Sequence, residues 1–145
     1  MKRYPLFMFL WLCLLTSFGF GDDAQYSFSG RHFIASYTGC NHGALSDVGN
    51  LKEAFLKAVD ECGATLLDSA DYIFPPDGMT MVALLSESHA SIHTYPEHDA
   101  CFVDLFTCGT QCSAEKFDEA LRAYLLPENV IVKVLSRNKM VEEER

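Results

Sequence analysis

Residues 101–108, Cys-Phe-Val-Asp-Leu-Phe-Thr-Cys, read as one strand that is apolar on both sides. Phe102, Phe106 and Cys108 share one side, and Val103, Leu105 and Thr107 share the other. Such a strand asks for cover on both faces. One layer of helices covers only one of them. At 145 residues the chain has room for a single core, and the second face then still needs cover.

The rest of the chain alternates strand and helix patterns. Residues 26–37 are rich in β-formers and end at Gly39. Residues 46–62 carry Val48, Leu51, Phe55, Ala58, Val59 and Cys62 at helical spacing, with Ser46 able to cap the start and Gly63 able to stop the end. Residues 64–74 and 79–85 form a strand pair around the turn Pro75-Pro76-Asp77-Gly78. A second pair, 89–95 and 101–108, is joined across 96–100. A second helix over 114–125 is capped by Ser113, presents Phe117, Ala120, Leu121, Tyr124 and Leu125, and ends before Pro127; residues 130–135 are a last strand. The pattern predicts an α+β domain over residues 26–136, a mainly antiparallel sheet with two helices on one face, followed by a charged tail at 137–145 that frays at its end.

Eleven basic against twenty acidic residues give a formal charge of -9, which argues against nucleic acid as a partner. The same field suits a cationic ligand, and it equally serves solubility. Met1-Lys2-Arg3, the apolar run at 6–20 and the small residues Ser17, Gly19 and Gly21 make residues 1–21 resemble an export signal. That run is shorter than the roughly 20 residues of a bilayer span, so the only membrane association to expect is through this segment if it is left uncleaved. Leu10-Trp11-Leu12-Cys13 lacks the small residues of a lipoprotein cleavage site. Beyond Cys13 stand Cys40, Cys62, Cys101, Cys108 and Cys112, an odd set that cannot all pair, and Cys108 is read as a free thiol.

Chemistry-bearing side chains concentrate in residues 85–97, Leu-Ser-Glu-Ser-His-Ala-Ser-Ile-His-Thr-Tyr-Pro-Glu. Taken alone, residues 85–108 mark a Ser/His/Cys/Glu site of undefined reaction. A zinc site is one reading, because His89, His93, Glu97, His98, Cys101 and Cys108 lie within twenty residues. The His89/His93 spacing suits helical ligands, whereas the local pattern is strand and turn; the two would still share a strand face.

The run from Ser86 to Glu97, followed by Val103-Asp104-Leu105-Phe106-Thr107-Cys108-Gly109, resembles the core of the short, prokaryotic-type S-adenosylmethionine decarboxylases. Gly30-Arg31-His32, Gly39-Cys40 and Phe74-x-Pro76-x-Gly78-x-Thr80 fall in that family's order, so the resemblance covers about residues 29–135. It implies an α/β two-layer sandwich, a homodimer of cleaved protomers, a cytoplasmic enzyme of spermidine synthesis, and S-adenosylmethionine as substrate. It also implies a self-made pyruvoyl cofactor and no metal: Ser88 attacks the Glu87 carbonyl, the chain splits between Glu87 and Ser88, and Ser88 becomes the keto group that forms a Schiff base with the substrate.

By the same resemblance His93 moves protons during processing, Thr80 supports the scissile region, and Cys108 returns a proton to the substrate. Phe74 would stack on adenine and Glu97 would accept from the ribose hydroxyls. His32 and Cys40 would shape the site, and His89 receives no step. Each also has an ordinary reading: Cys108 a small strand hydrophobe, Phe74 a core aromatic, Glu97 a solvated turn carboxylate, Thr80 a plain strand threonine. In an unbroken strand Ser88 and His93 point to opposite faces, so a bend is expected near residues 87–89. Ser36 stands where many members carry an acid, which keeps a same-fold decarboxylase of free ornithine or arginine as the alternative, and the signal-like segment keeps an exported non-enzymatic domain.

Overall fold

The computed structural model describes residues 29–108 and 111–138. The signal-like segment, Cys13, Gly109 and the end of the charged tail lie outside the described residues. Strand β1 (Gly30–Thr38) leads through the short α1 (His42–Ser46) and the longer α2 (Val48–Glu61) to β2 (Leu66–Phe74), β3 (Gly78–Leu85), β4 (Ser88–Tyr95) and β5 (Ala100–Cys108). Helix α3 (Ala114–Leu125) and β6 (Asn129–Arg137) follow. The sheet order is β2-β3-β4-β5-β1-β6, and every neighbouring pair is antiparallel. The doubly apolar β5 lies inside the sheet, between β4 and β1.

Both long helices cross the same side of the sheet, one in the β1–β2 connection and one in the β5–β6 connection. Leu51, Phe55, Ala58 and Val59 of α2 and Phe117, Leu121 and Leu125 of α3 are buried against alternate residues of the strands, among them Phe33, Met81, Ile92 and Leu105. Burying each large side chain contributes roughly 1.5–3 kcal/mol, so this layer holds the fold together. Local signals fix the helix ends. The Ser113 hydroxyl accepts from the Lys116 N–H at the start of α3. At the other end of α2, Gly63 takes a left-handed φ of 87° that a side chain would strain.

Three details depart from the sequence reading. A third helix, α1, occupies His42–Ser46, so the cap of α2 is Asp47, whose carboxylate accepts from the Asn50 N–H at 3.2 Å, rather than Ser46. A 3-10 turn, Pro96–His98, fills part of the β4–β5 connection. The third concerns the second face of β5. It was expected to be covered, yet Phe102 is 49 % exposed, and Val82, Leu84, Ile131 and Leu135 on the same side of their strands are exposed too. Among the described residues, the helices all lie over the other side and none covers this one.

Candidate active site

The reversal from β3 to β4 is tight. Leu85 pairs with Ser88, leaving only Ser86 and Glu87 to turn the chain. Two-residue hairpins favour turns whose central residues carry positive φ. Neither Ser86 nor Glu87 does; the positive φ, 153°, falls on Ser88. Residues with a Cβ rarely enter that region, at a cost of about 1–3 kcal/mol. The bend expected near residues 87–89 is therefore present, and it sits on the serine.

Glu87 is held at both ends. Its backbone carbonyl accepts from the Cys108 N–H at 3.0 Å. Its carboxylate accepts from the Thr65 N–H at 2.9 Å and from the Ser86 hydroxyl at 3.4 Å. On the other side of the peptide bond, Ser88 Oγ lies 3.2 Å from His89 Nδ1. A donor on the carbonyl draws electrons from its carbon, and an imidazole nitrogen in the acceptor tautomer can take the hydroxyl proton.

Beyond His89 lies a polar cluster on the uncovered face. Asp104 Oδ1 is 3.8 Å from His89 Nε2 and 3.5 Å from His32 Nε2, and the other carboxylate oxygen accepts from the Ser91 hydroxyl. The His32 contact has ion-pair distance without hydrogen-bond geometry, which leaves His32 Nε2 buried and unpartnered. Phe106 packs against both imidazoles, with ring centroids 5.4 Å from His32 and 5.7 Å from His89, and the Arg137 guanidinium lies 4.4 Å over its face. Gly30 makes room: a Cβ there would stand 2.4 Å from the Phe106 ring. Asp104 was missed at the sequence level, although a lone carboxylate inside an apolar strand was the available signal. Cys40 sits in the helix-side core.

A second group gathers at the far end of the same face. Thr80 and His93 are cross-strand partners, and their side chains share a hydrogen bond. The His93 ring is 5.8 Å from Phe74 and 4.6 Å from Tyr95. Phe74, His93, Tyr95 and Glu97 line one cleft of about 640 Å³, so the two residues expected to hold a nucleoside do share a cavity. His42 closes its rim, with its pKa raised by a 2.9 Å contact to Asp99.

Ser88 and His93 are five residues apart on one strand, about 16 Å at the usual rise per residue. The structure therefore separates what the sequence reading joined. His93 is partnered by Thr80, Thr80 reaches His93 rather than the Glu87–Ser88 bond, and the imidazole beside Ser88 is His89. Cys108, half-buried at the end of β5, belongs to the Ser88 end through its backbone. Among the described residues, no three or more His, Cys, Asp or Glu side chains are placed to hold a metal ion.

An antiparallel sheet with helices on one side is a fold with a solved counterpart. The crystal structure of the adenosylmethionine decarboxylase from Aquifex aeolicus VF5 matches with a TM-score of 0.71 at 35 % identity, over 80 % of this chain and 95 % of that one. The family model described as S-adenosylmethionine decarboxylase matches residues 31–138. The S-adenosylmethionine decarboxylase proenzyme of Prochlorococcus marinus strain MIT 9313 is 42 % identical over 108 residues, 74 % of this chain and 86 % of its own length. The proenzyme of Methanococcus maripaludis strain C7 is 37 % identical over 115 residues, 79 % of this chain and 94 % of its own. The chain belongs to the S-adenosylmethionine decarboxylase family.

Proposed function

We propose that this chain is a proenzyme that cuts itself between Glu87 and Ser88 and then decarboxylates S-adenosylmethionine to S-adenosyl 3-(methylthio)propylamine, the aminopropyl donor for spermidine. The observation that carries the reading is the state of the scissile bond: a positive φ at Ser88, the Glu87 carbonyl bonded by the Cys108 N–H, and His89 beside the hydroxyl. Ser88 Oγ adds to the Glu87 carbonyl carbon, the C–N bond breaks, and an ester and a free amine replace the amide. Loss of the Ser88 α-proton then expels the Glu87 carboxylate and leaves dehydroalanine. Water converts the dehydroalanine to a pyruvoyl group and releases ammonia. Cleavage also frees residue 88 from its unfavourable backbone conformation.

The pyruvoyl group supplies an electron sink for the substrate carbon that loses carbon dioxide. The chain's own residues do the rest. Cys108 offers a thiol to protonate that carbon, Phe74 an aromatic face for adenine, and Glu97 a carboxylate for the ribose hydroxyls. The net charge of -9 favours a sulfonium substrate.

Because the Ser88 and His93 groups lie at opposite ends of one uncovered face, the active unit is a homodimer with the open faces together. A two-fold axis then sets the Thr80, His93, Phe74 and Glu97 end of one protomer against the Ser88 and Cys108 end of the other. The exposed Phe102, Leu84 and Ile131 support this pairing, which gives β5 cover on both sides.

Carbon dioxide release with S-adenosylmethionine, ornithine and arginine side by side tests the substrate. Release from the nucleoside substrate alone is expected. Release from ornithine or arginine without release from S-adenosylmethionine overturns the assignment.

A further inference from the structure

Four of the five described cysteines lie in the helix-side core, and they lie there as two pairs. Cys40 follows the end of β1, where its N–H donates to the Asp99 carbonyl at 2.8 Å, and Cys101 stands two residues beyond Asp99, opposite Tyr37. The two thiols lie close enough to shift each other's pKa. Cys62 caps α2, and its carbonyl accepts from the Ser113 N–H at 2.9 Å, which lays Cys112 alongside it. The Cys62 thiol donates to the Val59 carbonyl at 3.0 Å, and it and the Cys112 thiol are near enough to shift each other's pKa. Cys108, the fifth, is on the opposite side of the sheet.

In each pair, one member precedes Glu87 and the other follows Ser88. We infer that Cys40–Cys101 and Cys62–Cys112 are two disulfide-forming pairs, each able to bridge the chain upstream of the Glu87–Ser88 bond to the chain downstream of it. The oxidant is a small disulfide of the glutathione class. In each closure two protein thiols lose two electrons and two protons, one S–S bond forms, and the oxidant's S–S bond becomes two thiols. Cys101 lowers the Cys40 pKa, while Cys40 and burial raise that of Cys101, so Cys40 is the thiol that gives up its proton more readily. Burial pushes Cys112 up to about 11 and raises Cys62.

Formation of the bridges does not depend on self-cleavage; their consequence does, and to that extent it rests on the function proposed above. In a cut protein the bridges hold the two fragments as one covalent unit, where otherwise only packing and the sheet would. Without a cut they close loops in a single chain. Either way the thiol left for the active site is Cys108.

The full-length chain and its Ser88→Ala variant, refolded in a buffer of reduced and oxidised glutathione, alkylated under denaturing conditions and weighed intact, test the inference. Both should lose two hydrogens per bridge, with only Cys108 of the five described thiols alkylated. Peptide maps should contain 40–101 and 62–112 cross-links. Cut wild-type protein should then run as one species without reductant and as two with it. Alkylation of the four core thiols, closure of only one pair, or cross-links in any other pairing overturns the inference. The Ser88→Ala result separates this from any failure of processing.

Discussion

The two faces of the sheet are built from the same strands, yet they do different work. Helices cover one, where Phe55, Phe117, Ile92 and Leu105 are buried. The other carries imidazoles, hydroxyls and carboxylates among half-exposed aromatics. A β-strand divides its residues between faces by parity alone, so β4 sends Ala90 and Ile92 to the core and His89, Ser91 and His93 to the open side. Stability and chemistry are thus written in alternate positions of one segment. The glaring exception is Ser88, at the point where the backbone leaves ordinary strand geometry.

The sharpest break with that division would come from Phe117→Ala. This ring is fully buried between Phe33 and Phe55, and truncation should cost about 3–5 kcal/mol and lower the melting temperature of an uncut Ser88→Ala background. On the open face, Phe102→Ala should leave the fold intact but weaken subunit association, visible as a shift toward monomer in sedimentation at low concentration. A monomeric wild type, or a Phe102→Ala variant that unfolds as readily as Phe117→Ala, would break the comparison.

Cys108→Ala should be cut at close to the wild-type rate, because its contribution to the scissile carbonyl is a backbone N–H that alanine keeps. Its turnover of S-adenosylmethionine should drop by about 10²–10⁴, the usual range for a lost proton-transfer group. An uncut variant would move Cys108 into the processing step. Phe74→Ala should be milder, raising KM for S-adenosylmethionine by about one order of magnitude through a lost stacking surface. His93→Ala should slow appearance of the two fragments, and a hydroxylamine-sensitive ester in that variant would place His93 after the acyl shift.

How far the site could be read beforehand follows from the same parity. Alternation marks which residues share a face, so His89 with His93, and Phe102 with Cys108, were legible from the chain. The elements were legible too, because Gly63, Ser113 and Pro127 are local signals with local causes. Asp47 displaced Ser46 as a cap because the extra helix α1 absorbed the serine, a choice made by tertiary packing. The Cys108 N–H on the Glu87 carbonyl depends on where β5 meets the β3–β4 turn, a register that no single segment encodes, whereas the Ser88–His89 contact joins chain neighbours. The separation of His93 from Ser88 was the largest surprise. It is a distance between strand ends, and the resemblance named the residues without saying that one chain keeps them apart.

The smallest effect expected is at the rim of the cleft. Asp99 raises the His42 pKa, so this contact stabilises the fold fully below the unfolded histidine value, and the contribution fades as pH rises through the folded value. Melting curves of His42→Ala and wild type should therefore differ slightly in mild acid and converge in base. A difference that grows with pH would mean that the contact is not titrating as described.

Intact mass of the purified protein, beside Ser88→Ala, bears most directly on the central claim. The account predicts a fragment ending at Glu87 and a second fragment beginning at position 88, lighter by one ammonia than a chain that starts with serine, while Ser88→Ala stays whole. A wild type that remains one chain after long incubation would contradict it.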